Sequence, residues 1–339
     1  MDYNYYITEI NKIDISKNLL NLQISKEDYS KKLSDKYNSS KHIVKSTIID
    51  ELFVQDNIKY LIKYLKIDNL KNKPILINKK EFKDPFAPPL LEDMVVSENF
   101  CDLNKHRILF TKFPLFKNQV LIVSREFVSQ YTHLESDNFR DLIILLNLID
   151  GFGFFNGGEK AGASQPRKHL QAVPFDSLPD KNFGIFNYIE NNENLEKIDV
   201  NLENKYFNAY FIEKLKKVGL IHILFKFENN LKDLFKNINQ SENVAKILLN
   251  MSKIGLKFIG IDETKEKIEN DYSLLLTGEF LFITKRKEHD VYISEKDKEK
   301  GEIINLNSLA FFFVIVSRSP EQINEMKNGN IIKDVISKL

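Results

Sequence analysis

The sequence predicts an α+β fold built on an antiparallel sheet. Three observations predict it. Short apolar runs of strand length recur through 107–174, a single stretch of helical period interrupts them, and each connection is short. Strands, one helix, then further strands in meander order describe an antiparallel α+β layer.

Taken in order, residues 1–70 mix charged and apolar residues at helical spacing and read mostly as helix. Lys71–Pro89 contains Pro74, Pro85, Pro88 and Pro89, which exclude a continuous helix and predict an extended crossing segment with local turns. RILFT (107–111) and QVLIVS (119–124) are strand-length, and KFPLFKN between them supplies Pro114 and Asn118 for an antiparallel turn. Phe139, Leu142, Ile143, Leu146 and Ile149 recur at helical spacing, with Ser136 or Asp137 as the cap and Gly151 and Gly153 as the stop. FGFFN (152–156) reads as a third strand. A glycine-bearing loop (157–166) leads to a fourth, RKHLQAVP (167–174).

Residues 176–204 are polar and asparagine-rich, a candidate boundary. Beyond it come a helix near 241–254 and a hairpin, YSLLLT–GE–FLFITK (272–285), turning at Gly278. SEKDKEKGE (294–302) reads as a solvated loop, LNSLAFFFVIVS (306–317) as a buried strand or short buried helix, and 320–338 as a terminal helix. No short internal repeat is present.

The 339 residues are 42% hydrophobic and 29% charged, ordinary globular composition that excludes a disordered chain. With 49 basic against 48 acidic residues the net charge is +1, so the broad basic footprint of a nucleic-acid binder is missing. Cys101 is the only cysteine, which excludes an intramolecular disulfide and fits a reducing compartment. No apolar run approaches membrane-spanning length, and MDYNYYITEINKIDIS lacks the basic and apolar regions of a signal peptide. The expectation is therefore a cytoplasmic protein with no membrane partner. His42, His106, His133, His222 and His289 show no paired spacing of a zinc site, so no metal centre is expected.

The chemistry concentrates in FFNGGEKAGASQPRKHLQAVP (154–174). In a strand, Arg167, His169 and Gln171 share one face while Lys168, Leu170 and Ala172 take the other. One face thus offers a cation, an imidazole and an amide in a row. The preceding loop carries Gly157, Gly158, Gly162, Ala163 and Ser164, small residues that let backbone amides approach an anion. It matches neither the Walker A nor the GxGxxG pattern. Imidazole is neutral near pH 7 and attacks phosphorus without prior deprotonation, so the row suits nucleotidyl transfer. A lone strand histidine is equally compatible with a satisfied core residue, and the glycines with an ordinary turn.

GASQPRKHLQ resembles the signature of the diadenosine tetraphosphate phosphorylase (ATP adenylyltransferase) family: a Gly/Ser-rich loop, Ser-Gln, then His-x-His-x-Gln. That family is grouped with galactose-1-phosphate uridylyltransferases in the histidine-triad-like superfamily. DPFAPP (84–89), LFTKFPLFKNQVLIVSREF (109–127), YSLLLTGEFLFITKRK (272–287) and INLNSLAFFFVIVSRSPEQI (304–323) are similar to further family segments in the same order. The resemblance implies a histidine-triad-like antiparallel sheet with flanking helices, in a galactose-1-phosphate-uridylyltransferase-like architecture. It implies an N-terminal catalytic part over 1–178 and a C-terminal part over 200–339 that completes the nucleotide site.

By position, the resemblance makes His169 the nucleophile and Gln171 its catalytic neighbour. It assigns Asn156, Gly162, Ala163, Ser164 and Gln165 to phosphate and ribose contacts. Lys63, Lys112, Ser273, Thr277 and Arg286 are nucleotide-binding positions by the same carry-over, and each cation among them also reads as an ordinary surface residue. The sequence departs from the pattern at Arg167, which replaces the first histidine and offers a guanidinium for a phosphate, and at Thr111 and Ser273, which replace asparagines. The implied reaction is phosphorolysis of diadenosine tetraphosphate by phosphate to ATP and ADP, reversible, through an adenylyl-histidine. Its implied partners are those small molecules, with no tightly bound cofactor and at most a divalent cation such as magnesium on the polyphosphate. A dinucleoside polyphosphate hydrolase and a non-catalytic nucleotide-binding regulator are the alternatives.

Overall fold

A computed structural model of the protein describes residues 3–16, 25–45, 48–65, 84–101, 105–180, 184–198 and 204–339. The helical reading of the N-terminal region holds for α1 (Asn4–Asn11) and α2 (Lys26–Ser39), the latter capped by the Ser25 hydroxyl. It fails over 48–65, and residues 17–24, 46–47 and 66–70 lie outside the described ones. Residues 48–65 form a hairpin of β1 (Ile48–Gln55) and β2 (Ile58–Leu65). Ile58, Leu61, Ile62 and Leu65 do recur at helical spacing, but Asp56 and Asn57 turn with φ of 53° and 63°, the doubly left-handed turn that joins twisted antiparallel strands. Of the expected crossing segment, residues 71–83 lie outside the described ones, and Asp84–Pro89 is a run of turns and bends.

Next come β3 (Val95–Phe100), β4 (His106–Phe110), β5 (Val120–Ser124), α3 (Ser136–Ile149), β6 (Gly151–Gly157) and β7 (His169–Pro174). The expected β4–β5 pair is antiparallel. Helix α3 is capped one residue earlier than expected, by Glu135 in a reciprocal box with Asn138. It stops at Asp150 (φ 49°), and Gly151 already belongs to β6.

The second half supplies α4 (Ile185–Glu190), β8 (Leu195–Lys197), β9 (Phe207–Ile212), α5 (Glu213–Lys217), β10 (His222–Phe227), α6 (Asn229–Lys236), α7 (Ser241–Phe258), β11 (Tyr272–Leu276) and β12 (Phe280–Lys285). After these come β13 (Asp290–Val291), α8 (Glu295–Lys300), β14 (Ile304–Asn305), β15 (Val314–Ser317), α9 (Pro320–Asn328) and α10 (Ile331–Asp334). The expected loop 294–302 is largely α8, begun by a Ser294 cap and ended at Gly301 (φ 69°). LNSLAFFFVIVS resolves into both alternatives, a 3-10 turn over Ser308–Phe312 and then β15, hinged at Phe313 (φ 62°). The single terminal helix expected over 320–338 is two short ones.

One ten-stranded sheet runs in the order β3-β4-β5-β7-β6-β11-β12-β10-β9-β8, antiparallel throughout. Its continuity comes from β6–β11, so 1–178 and 200–339 contribute to one sheet. A smaller sheet, β1-β2-β15, is closed by a parallel pairing of β15 on β2. Helices α1, α2, α3 and α7 cover one face of the large sheet through a core that includes Phe139, Leu142, Leu170 and Ile247. The other face packs Phe152, Phe154, Phe280 and Phe282 against Phe311–Phe313 and the C-terminal helices. Alternation puts Leu170 and Ala172 on the α3 face, which leaves His169 and Gln171 on the opposite one.

Candidate active site

His169 opens β7 and is 5% exposed. Its Nδ1 lies 3.0 Å from the Arg167 carbonyl oxygen. A carbonyl only accepts, so Nδ1 carries the proton and Nε2 keeps its lone pair. Burial pushes the imidazolium pKa down, opposed by the Arg167 carbonyl and the charge of Asp84, and the ring is held neutral. The Phe86 ring packs on it at 5.3 Å and 59°.

Gln130, fully buried, holds the backbone around His169. Strands β6 and β7 pair up to Phe154–Gln171 and then part. Into the gap Gln130 inserts its amide: Oε1 accepts the His169 N–H at 2.7 Å, and Nε2 donates to the carbonyls of Asn156 (2.8 Å) and His169 (3.3 Å). The amide replaces a missing rung of the ladder at the place where the chain opens into the glycine loop.

Gln171 lies two residues along the same face, part-exposed, its Oε1 accepting from Gln119 Nε2 at 2.9 Å. Arg167, 6% exposed, does not stand free toward a ligand as expected. Its Nε donates to Asp84 Oδ2 at 2.7 Å and Nη1 to the carbonyls of Ser124 (3.2 Å) and Arg125 (2.7 Å). Asp84 also accepts the Phe86 N–H at 2.9 Å, so DPFAPP delivers a carboxylate to Arg167 and a ring to His169 together.

The loop amides divide. Those of Gly162 and Ala163 donate back to the Glu159 and Gly158 carbonyls, so they close the turn instead of facing an anion. Ser164 is exposed and Gln165 part-exposed, and their amides have no backbone acceptor among the described residues. Asn156 uses its Oδ1 on the Ser308 N–H at 3.1 Å. Arg286, expected as a cation for the nucleotide, instead donates to the carbonyls of Lys160 (3.0 Å), Glu288 (2.8 Å) and Leu306 (2.7 Å). It ties the loop to the C-terminal segment while Asp271 accepts the Lys160 N–H at 2.5 Å.

The remaining positions spread out. Ser273 pairs across from Asn156 but is fully buried, its hydroxyl unpartnered among the described residues. Thr277 lies at the far end of β11, where its hydroxyl accepts the Glu279 and Phe280 N–H groups at 3.0 and 3.1 Å. That is a turn role. Lys63 is buried on Asp50 (2.7 Å) and over the Phe116 ring (4.3 Å). Lys112 is exposed at the β4–β5 tip. The structure thus gathers His169, Gln171, Arg167, Asn156 and the loop, and adds Gln119, Gln130, Asp84 and Phe86, which sequence reading did not single out as site residues. For Asp84 and Phe86 the signal was DPFAPP itself; no local pattern marks a structural glutamine.

Among the described residues no group of three or more His, Cys, Asp or Glu side chains is placed to hold a metal ion. No helix among them is long and apolar enough to cross a membrane.

Residues 24–189 match the family model of the Ap4A phosphorylase N-terminal domain, Ap4A being diadenosine tetraphosphate. Diadenosine tetraphosphate phosphorylase 2 of Saccharomyces cerevisiae is 23% identical over 259 residues, covering 72% of this chain and 71% of the yeast protein. The crystal structure of yeast Ap4A phosphorylase Apa2 is similar at a TM-score of 0.69 and 19% identity, covering 92% of this chain and 93% of that one. The same enzyme in complex with Ap4A gives a TM-score of 0.66 at 19% identity, covering 91% and 95%. At such identity the structural likeness is one of fold. Residues 24–189, which hold His169, are thus similar to the N-terminal domain of the Ap4A phosphorylase family.

Proposed function

We propose that the protein is an ATP adenylyltransferase that moves an adenylyl group from diadenosine tetraphosphate to inorganic phosphate by way of His169. The observation that carries this reading is the bond from His169 Nδ1 to the Arg167 carbonyl, which leaves Nε2 as a neutral, unprotonated nucleophile. Nε2 attacks the α-phosphorus, an N–P bond forms, and the P–O bond to the departing ATP breaks. A phosphate oxygen then attacks the same phosphorus, the N–P bond breaks, and ADP leaves with His169 restored. ATP is a weak base as a leaving group and needs no protonation, which suits a neighbour such as Gln171 that carries no acidic proton. The Gln171 amino group has no partner among the described residues and serves as donor to the phosphoryl oxygens. The amides of Ser164 and Gln165 are the loop donors left for the same task. Any divalent cation enters as part of the polyphosphate substrate.

The relatives support the substrate: the yeast protein is named for phosphorolysis of Ap4A and was crystallised with it. Water attack on the intermediate calls for a general base, and neither Gln171 nor the neutral loop groups supply one, whereas phosphate already carries negative oxygens. Phosphorolysis is therefore favoured over hydrolysis.

The test is product analysis with Ap4A, with and without phosphate, together with α-labelled Ap4A. ATP and ADP in equal amounts, dependent on phosphate, are expected, with label held covalently by the protein. His169→Asn is expected to lose both by several orders of magnitude while keeping its fold. Rapid phosphate-independent AMP would establish a hydrolase, and reversible binding without label or products would leave only a nucleotide binder.

A further inference from the structure

We infer that Gln119 is a positioning residue that fixes which end of the Gln171 amide faces the transferring phosphoryl group. The inference rests on the adenylyl-transfer reading above. It comes from a chain of hydrogen bonds in which each direction dictates the next. The Leu115 N–H lies 2.9 Å from Gln119 Oε1. A backbone N–H only donates, so this end of the Gln119 amide must be the oxygen. Its Nε2 therefore points the other way, where it meets Gln171 Oε1 at 2.9 Å. Gln171 must answer a donor with its oxygen, which turns its amino group out to the face that carries His169. A glutamine side chain alone has no preference between its two ends; here a peptide group on the far side of Gln119 makes the choice.

The Leu115 end of the chain is anchored. The turn before β5 is closed by a bond from the Gln119 N–H to the Phe116 carbonyl (3.2 Å) and passes through Asn118 at φ 59°. Phe116 is 2% exposed and lies beneath the Lys63 ammonium at 4.3 Å, and Gln119 itself is 3% exposed. Leu121, next on the Gln119 face of β5, pairs directly with Gln171. The relay is thus short and part-buried, with Gln119 itself enclosed.

The consequence is chemical and not merely steric. With its amino group outward, Gln171 donates to a phosphoryl oxygen whose negative charge grows in the transition state. With its oxygen outward it would repel that charge. Gln119→Glu keeps shape and size. One oxygen of the introduced carboxylate still accepts the Leu115 N–H, but the other now accepts where Nε2 donated. Gln171 must then turn its amino group to that carboxylate and its oxygen to the substrate. Gln119→Ala only releases Gln171 to populate both orientations.

The experiment compares steady-state phosphorolysis of Ap4A by the full chain, its Gln119→Glu and Gln119→Ala variants, and the same Ala change in a Gln171→Ala background. The expected result is an inverted order: Glu, the closer mimic, loses kcat about 10²-fold, Ala less, with KM changed little in either. Gln119→Glu is expected to recover toward acid pH, where a protonated carboxyl donates again. In the Gln171→Ala background the Gln119→Ala change is expected to cost nothing further in kcat. Equal or greater activity in Gln119→Glu than in Gln119→Ala overturns the inference. So does an undiminished effect of Gln119→Ala once Gln171 is gone, a readout that serves even if Gln119→Glu does not fold. Unmodified protein that makes neither ATP and ADP nor labelled intermediate refutes the adenylyl-transfer reading instead.

Discussion

Arg167 shows how a residue's neighbours redirect its role. Read from the sequence, a guanidinium two positions before the nucleophile predicts a phosphate clamp, and its loss a raised KM. In the fold the guanidinium bonds Asp84 and two carbonyls, while its own carbonyl receives the His169 proton. It acts on the nucleophile through the backbone. Arg167→Ala leaves the Asp84 carboxylate, 17% exposed, without its partner and loosens the strand entry. We expect a stability loss of about 2 kcal/mol, below the range for a fully buried pair because Asp84 is partly wetted, and a fall in kcat. Thermal unfolding with steady-state kinetics checks this. A raised KM with unchanged melting temperature and kcat would restore the phosphate-clamp role.

At the scale of the element, the glycine loop between β6 and β7 is a shaped turn and not a loose cradle. Gly158 has φ 106°, and a methyl group placed there would meet the Asp271 carboxylate at 2.3 Å. The same carboxylate receives the Lys160 N–H, and Arg286 donates to the Lys160 carbonyl. Lys160 is thus pinned through its N–H by the start of β11 and through its carbonyl by the end of β12. Gly158→Ala should push Asp271 off the Lys160 amide and strain the backbone by about 1–3 kcal/mol. The expected outcome is at least about a tenfold fall in kcat/KM for the dinucleotide, since a loop displaced near the phosphates weakens both binding and attack. Activity near that of the unmodified protein would show that the loop shape is not used.

One ten-stranded sheet runs through both halves of the described residues, and a buried histidine in its second half makes the stability depend on pH. His222, fully buried on β10, directs Nδ1 to the Leu220 carbonyl (2.9 Å) and receives the Ile212 N–H on Nε2 (2.8 Å). That arrangement admits only the neutral ring, and burial pushes its pKa down to about 4. The folded value lies below the unfolded one near 6.5, so between the two the unfolded chain binds the extra proton. Stability contributed by the neutral ring is therefore full above about pH 6.5 and is lost as pH falls toward 4, by roughly 3 kcal/mol. Thermal midpoints measured from pH 7 to 4 should fall accordingly, and less steeply in His222→Gln. An unchanged slope in that variant would place the acid sensitivity elsewhere.

Composition and local pattern determined the α+β class, strands β4, β5, β6 and β7, helix α3, the β11–β12 hairpin and the shared face of His169 and Gln171. Each of these depends on side-chain period and turn chemistry within about 20 residues. The expected meander order, by contrast, gave way to β4-β5-β7-β6 once the chain crossed through α3. The hairpin at 48–65 escaped because Ile58–Leu65 satisfies the helical period as well as the strand one, and only pairing with β15, far along the chain, decides between them. Partners at that distance leave no mark in local spacing. The same reason separates the nucleophile from its environment. His169 could be picked out from RKHLQ, yet its tautomer comes from the Arg167 carbonyl, its ladder rung from Gln130 and its ring contact from Phe86. Hydrogen-bond direction depends on which donor and acceptor the fold brings to face each other, so tertiary structure alone decided that Thr277 and Arg286 serve the backbone and that Gln171 turns its amino group outward.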